Sequence, residues 1–270
     1  MEKFQTILSE RQGSVVTLWL NRPEVHNALN ERLILELTSF FTEIEDDPDI
    51  RIVILRGKGT SFCSGADLLW MKNGLQLSQE ENLRECRELS ELFATIYRSS
   101  KIVIAVVHGN VFGGGNGLVA VCDFAFCDSG ASFSLSETRI GMVAASITPY
   151  LMQKIRIAEL KNLVFSARHF TGDEAAQLGL VNRTFPSTDL VNRYVGELIL
   201  LVLANGKEAL KESKYLINRL SMLSMASEIL QIPAILARIR ISKEAQEGFS
   251  SFLEKRRPNW QEGKDKGYSI

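Results

Sequence analysis

Two glycine-rich segments carry the clearest chemical signal in this sequence. The first, Gly57 to Asp67, reads GKGTSFCSGAD; the second, His108 to Gly117, reads HGNVFGGGNG. Each follows a short apolar run, RIVILR at 51–56 and KIVIAVV at 101–107, and each leads into a helical pattern. Glycine permits close backbone approach and left-handed dihedrals. Backbone N–H groups left free at strand-to-helix turns can face an anion. Two such turns on neighbouring strands can aim one N–H each at a single oxygen, which is what stabilising an oxyanion requires. Either loop taken alone reads as a tight turn without a ligand. Neither is a nucleotide fingerprint: the second lacks the G-x-G-x-x-G frame and its following acidic residue, and the first has no G-K-[ST] ending. Cys63 has no evident base beside it, and the chain has no G-x-S-x-G elbow, so nucleophilic catalysis by a thiol or a serine triad is not indicated.

The elements that must position these loops follow from periodicity. FQTILSE and SVVTLWL read as two strands joined by RQG. NRPEVHNALN is a polar loop whose last residue, Asn30, is placed to cap a helix starting at Glu31. Leu33, Leu37, Phe40, Phe41 and Ile44 share one side of that helix, and DDPD ends it. A second helix is expected over 80–98, and buried strands over 51–56 and 101–107. Phe124–Cys127 and Ala131–Leu135 read as further short strands. The LVAV run after the second glycine loop begins or continues a helix. From 148 onward the pattern turns helical, with Thr148 as a cap and Pro149 at the first helical position. Helices are expected over 158–165, after Thr171, and over 188–204, 206–218, 222–230 and 232–254. Strand and helix alternation argues an α/β core over 1–190, with a helical region over 191–270.

Composition narrows the classes. The 270 residues carry 31 Lys and Arg against 32 Asp and Glu, a net charge of -1. Near-zero charge gives no global case for nucleic-acid binding, and the Lys255–Arg256–Arg257 run is too short to make one. Four cysteines form no CxxC, and the three histidines do not cluster with them, so no metal is expected. No N-terminal secretory pattern is present. The longest apolar run, ELILLVLANG, is too short to cross a bilayer and reads as a buried helix. A cytoplasmic protein without membrane contact is the expectation.

The two loops together, with RPEVHNALN (22–30), FCSGADL (62–68), AVVHGNVFGGGNGL (105–118), Cys122–Asp123, FSLSETRIG (133–141), LGLV (178–181) and EGFSSFLEKRRP (247–258), resemble the enoyl-CoA hydratase/isomerase, or crotonase, superfamily over nearly the whole chain. Within it the pattern GGGNGLVAVCD…FSLSETRIG…ITPY is most similar to bacterial methylglutaconyl-CoA hydratases. The resemblance implies a crotonase fold of repeated ββα units in two roughly perpendicular sheets. It also implies a C-terminal helical trimerisation region and assembly as a homotrimer or a hexamer of two trimers. It implies an acyl-CoA thioester substrate and no separate cofactor, coenzyme A arriving with the substrate.

By motif position the thioester oxygen would meet the backbone N–H groups of Ala66 and Gly114. Ser64 and Ala66 would meet coenzyme A, and Phe252 and Lys255 match positions that help hold it. Asp67 and Trp70 are further candidates for substrate contact, Asp67 also as a helix cap and Trp70 also as core. Glu137 matches a catalytic glutamate of the family, although Ser136 stands where proline is common. Its neighbours Phe133, Leu135 and Ile140 suggest an apolar setting that would raise its pKa toward neutrality. A second glutamate, usual in hydratases of this superfamily, would fall at 117, where this chain has Gly117. Arg139 is a candidate partner for a substrate carboxylate, though a salt bridge or solvent contact suits it better. His108 and Asn116 are candidates for orienting water or for shaping the turn.

The resulting expectation is a lyase that hydrates a 2-enoyl-CoA, with 3-methylglutaconyl-CoA or a related branched thioester as a candidate substrate. Double-bond isomerisation or decarboxylation by one glutamate is the alternative on the same scaffold. A CoA-binding or RNA-binding protein without catalysis is the alternative of another class.

Overall fold

A computed structural model describes residues 4–222, 232–256 and 258. Strands β1 (Ile7–Gln12) and β2 (Val15–Leu20) form the expected antiparallel hairpin. Helix α1 (Glu31–Glu45) follows, and the Asn30 side chain accepts from Leu33 N at 2.9 Å, as the cap signal predicts. After β3 (Ile52–Gly57) come α2 (Leu68–Gly74) and α3 (Gln79–Arg98), the latter opened by a Ser78/Glu81 capping box. The middle of the chain holds β4 (Ile102–Val107), β5 (Asn110–Phe112), α4 (Gly114–Val121), β6 (Phe124–Asp128) and β7 (Ser132–Ser134). A single 3₁₀ turn covers Glu137–Ile140. Then come α5 (Thr148–Lys154), α6 (Ile157–Ser166), β8 (His169–Thr171), α7 (Gly172–Leu178), β9 (Arg183–Phe185), α8 (Thr188–Leu203) and α9 (Lys207–Met222). The last two helices described are α10 (Ile232–Arg240) and α11 (Lys243–Leu253).

The strands make two sheets. A six-stranded sheet runs β1-β2-β3-β4-β6-β9, parallel from β2 onward, and a three-stranded sheet runs β5-β7-β8. Each glycine loop leaves the large sheet and turns toward the small one, so the repeated ββα plan of the crotonase fold is present. The central strand β4 explains the layering. Every residue of IVIAVV is buried, Val103, Ala105 and Val107 in the main core and Ile102, Ile104 and Val106 in a second core. That alternation buries both faces of the sheet and accounts for an unbroken apolar run. The main core packs α1, α3 and α4 on one face; α8 covers the other with Val191, Val195 and Val202.

Four expectations change. The glycine-rich loop expected over 57–71 ends at Asp67, which caps α2 from position 68. Thr148 opens α5 instead of capping it; Ile147 holds the cap position and the Thr148 hydroxyl donates to Ala144 O. The span 232–254 breaks at Ile241–Ser242, where the Ser242 side chain accepts from Ala245 N and starts a new helix. Helix α8 is not buried all round: Leu200 and Leu201 are exposed opposite the valine face. The span 222–230 falls almost entirely outside the described residues, as does Arg257.

Candidate active site

The first glycine loop is held on two sides by backbone bonds. Ser64 N donates to His26 O at 3.0 Å, Leu29 N to Gly65 O at 2.7 Å and Asp67 N to Leu29 O at 2.9 Å. On the other side, Phe62 N donates to His108 O, Cys63 N to Asn110 O, and Phe112 N back to Cys63 O. The second loop is tied to β7 by Gly113 N donating to Ser134 O at 3.0 Å. Ala66 N and Gly114 N, one on each loop, donate to no protein group among the described residues. Gly114 opens α4, whose first N–H groups have no intrahelical acceptor.

The loops touch at the residues preceding these two amides. Gly65 has φ +94° and Gly113 φ +47°, both in the region that favours glycine. A Cβ on Gly65 would lie 3.0 Å from Phe112 O and 3.7 Å from Gly113 Cα. The same atom on Gly113 would lie 3.8 Å from Gly65 Cα and 3.3 Å from Glu137 Oε1. The glycines therefore let both turns and the Glu137 carboxyl group approach one point.

Ala66, Gly114 and Glu137 line one cavity of about 120 Å³. Apart from Glu137, Arg240 and Ser146, its walls are apolar or weakly polar, with Trp70, Met71, Phe93, Ile147 and Phe249 prominent. Glu137 Oε2 is sealed from solvent and has no hydrogen-bond partner among the described residues. Desolvation by burial pushes the Glu137 carboxyl up to about 7, against a weaker opposing bond from its own backbone. No ion pair joins it to Arg139 among the described residues, so its charge is not compensated that way. A carboxyl group of this kind is populated in both protonation states near neutrality and can accept or deliver a proton.

The other candidates are distributed more widely. Trp70 lines the cavity, with its Nε1 buried and unpartnered. Asp67 lies outside the cavity walls; it caps α2 and pairs with Arg22 at 2.8 Å. Asn116 is fully buried, and its amide donates to Val111 O at 3.0 Å and Ser134 O at 2.9 Å, which shapes the turn without reaching the cavity. His108 Nε2 lies 2.9 Å from Gly59 O and ties one loop to the other. Arg139 is exposed and does not line the cavity. Ser64 donates its amide to His26 O, while Phe252 and Lys255 are exposed near the end of α11. Cys63 is buried, with its thiol pushed up to about 12 by desolvation, which leaves it unreactive.

Position 117 is closed. A Cβ on Gly117 would lie 2.2 Å from Ile147 Cγ2 and 2.7 Å from Phe93 Cε1. The space a side chain would need there is filled by two apolar groups. Glu137 is the one carboxylate on the cavity wall among the described residues.

Sequence reasoning missed Arg240, a buried guanidinium on the same wall. It lies inside a helical run with no motif around it, so no local signal marks it.

Known proteins resemble this chain over most of its length. Residues 10–264 match the family model described as Enoyl-CoA hydratase/isomerase. Crotonyl-CoA hydratase of Syntrophomonas wolfei is 32% identical over 261 residues, covering 95% of this chain and 98% of that protein. The peroxisomal Delta(3,5)-Delta(2,4)-dienoyl-CoA isomerase of Arabidopsis thaliana is 29% identical over 273 residues, covering 96% and 98%. The crystal structure of an enoyl-CoA hydratase from Mycobacterium avium superposes with a TM-score of 0.84 at 30% identity, covering 94% of this chain and 98% of that one.

Proposed function

The chain belongs to the enoyl-CoA hydratase/isomerase family, and from that premise we propose reversible addition of water to a short 2-enoyl-CoA, with Glu137 as the single proton carrier. Membership makes it an enzyme with hydratase/isomerase-type activity on acyl-CoA substrates. The thioester oxygen accepts from Ala66 N and Gly114 N. Charge developing on that oxygen during attack is stabilised by dipoles fixed before the substrate arrives. Ionised Glu137 takes a proton from water as the water oxygen bonds to the β-carbon. Protonated Glu137 then delivers that proton to the α-carbon, and the reverse sequence dehydrates. The observation that carries this reading is a Glu137 carboxyl group beside the Gly65–Gly113 contact, with one oxygen sealed from solvent and unpartnered among the described residues.

Migration of a double bond is the second reading, favoured by the closure of position 117 by Phe93 and Ile147. One carboxyl group is enough to carry a proton between two carbons. Ser146 also lines the cavity, with its hydroxyl 3.0 Å from that of Ser90, and as a polar group there it favours a held water and hence hydration.

A branched glutaconyl-type substrate rests on the motif pattern alone, because Arg139, the candidate partner for its second carboxylate, is exposed outside the cavity. We assign Ser64, Phe252 and Lys255 to the neighbourhood of coenzyme A on motif position alone. Assembly through the helical region is supported by Leu200, Leu201, Tyr215, Leu216 and Ile217, all exposed on α8 and α9. No helix among the described residues is long and apolar enough to cross a membrane.

Chromatographic separation of the isomers followed by mass analysis, after incubation with crotonyl-CoA, 3-methylglutaconyl-CoA and a 3-enoyl-CoA, tests the proposal. Hydration gives a 3-hydroxyacyl product heavier by one water. A shifted double bond at unchanged mass selects the second reading, and no conversion of any member overturns both.

A further inference from the structure

The cavity has a second charged group that the mechanism does not use. Arg240, on α10, is 5% exposed and lines the wall together with Trp70, Cys86 and Leu236. Its Nη1 donates to Glu85 Oε2 at 2.8 Å, a pair buried on both sides. Its guanidinium carbon lies 5.1 Å from the centroid of the Trp70 ring, within cation–π range. The Cys86 thiol is a further contact. Gly74 makes the room: a Cβ there would lie 2.1 Å from Nη2 and 2.7 Å from Cζ. Three elements, α2, α3 and α10, thus build a fitted enclosure for one guanidinium group.

That enclosure leaves donor capacity unused. A guanidinium has five N–H donors, and among the described residues its polar partners are Glu85 and Cys86. The remaining donors are not sealed in the protein, and an apolar chain end laid against them would cover them without an acceptor, which is costly. An oxygen acceptor on the ligand would remove it. The cavity volume of about 120 Å³ is near that of a pocket holding one six-carbon ring, so the bound acyl group is short enough for its far end to reach the wall.

Resting on the acyl-CoA reading above, we propose that Arg240 is a specificity-determining residue that receives an oxygen acceptor at the distal end of the acyl group, a carbonyl or a carboxylate. Glu85 sets the balance between the two. The Arg240–Glu85 pair is already neutral, so a carbonyl gains a bond at no charge cost, whereas a carboxylate brings an uncompensated negative charge into an apolar cavity. Removing the charge of Glu85 leaves the guanidinium free to match an anion.

Saturated thioesters separate binding from turnover. Calorimetric affinities are compared for hexanoyl-CoA, 5-oxohexanoyl-CoA and adipoyl-CoA. The wild-type enzyme should bind 5-oxohexanoyl-CoA about tenfold more tightly than hexanoyl-CoA. R240M should bring that ratio close to one. E85Q should tighten adipoyl-CoA by about tenfold while leaving hexanoyl-CoA unchanged, a response that a purely structural ion pair would not give. Equal wild-type affinities for the three thioesters would overturn this inference alone. A preference that survives in R240M would also overturn it. Should R240M not fold, unchanged adipoyl-CoA binding in E85Q overturns it. Failure of every thioester to bind would overturn the proposed function as well.

Discussion

The cavity wall carries one carboxyl group and one guanidinium group, Glu137 and Arg240, and the protein treats them in opposite ways. Glu137 sits above two glycine turns with one carboxyl oxygen unpartnered. Arg240 sits between α2, α3 and α10 with Glu85 bonded to it and Trp70 beneath it. Burial without a partner moves a titration point; burial with a partner fixes a charge. The first arrangement makes a proton carrier, and the second makes a permanent feature of the wall. Stability is given up at one end and retained at the other.

The largest break in this contrast is at Glu137. E137Q keeps the shape and removes the transferable proton, so kcat should fall by roughly 10²–10⁴-fold, with acyl-CoA affinity largely kept. Steady-state kinetics beside calorimetry reads both, and normal turnover would remove Glu137 from its role.

Stability against pH comes next. Glu137 titrates near 7 in the folded protein and near its ordinary 4.5 when unfolded. The folded state therefore holds its proton more tightly, and stability declines as pH rises from about 4.5 to about 7. The full effect is about 3 kcal/mol. E137Q should gain up to that amount over the wild type at pH 8 and match it at pH 4. Urea unfolding at the two pH values checks this, and equal differences at both would contradict the burial argument.

A smaller effect is expected from the closed position. G117A places a Cβ against Ile147 and Phe93, which should cost about 1–3 kcal/mol through overpacking. Thermal unfolding measures it; an unchanged Tm would mean that room for a side chain exists there after all.

The smallest change sharpens the contrast between two arginines. Arg139 is exposed and outside the cavity. R139A should alter kcat/KM by less than about twofold, since surface substitutions away from a site are nearly neutral. A tenfold loss would return Arg139 to the substrate.

What the sequence revealed was what local rules govern. Asn30 before Glu31 and Thr171 before Gly172 each sit at a helix start and accept a hydrogen bond there. The two apolar strands and their glycine loops were readable for the same reason, since strand, turn and helix follow one another within a few residues. The motif SETRIG brought Glu137 and Arg139 forward together; Glu137 lines the cavity and Arg139 faces solvent, the setting the sequence already favoured for it, because a 3₁₀ turn directs neighbouring side chains to different sides. The filling of position 117 by Phe93 and Ile147 depends on residues far apart in the chain. Arg240 depends on Gly74, Trp70 and Glu85 from two other helices. Such constellations exist only after packing, and no periodicity announces them.

The central claim is that Ala66 N and Gly114 N meet one thioester oxygen. It is tested most directly by the infrared stretch of butanoyl-CoA carrying ¹³C at its carbonyl, bound to the wild-type enzyme. Two fixed donors should draw that stretch below its frequency in water. A bound carbonyl absorbing at or above the water value would contradict the account.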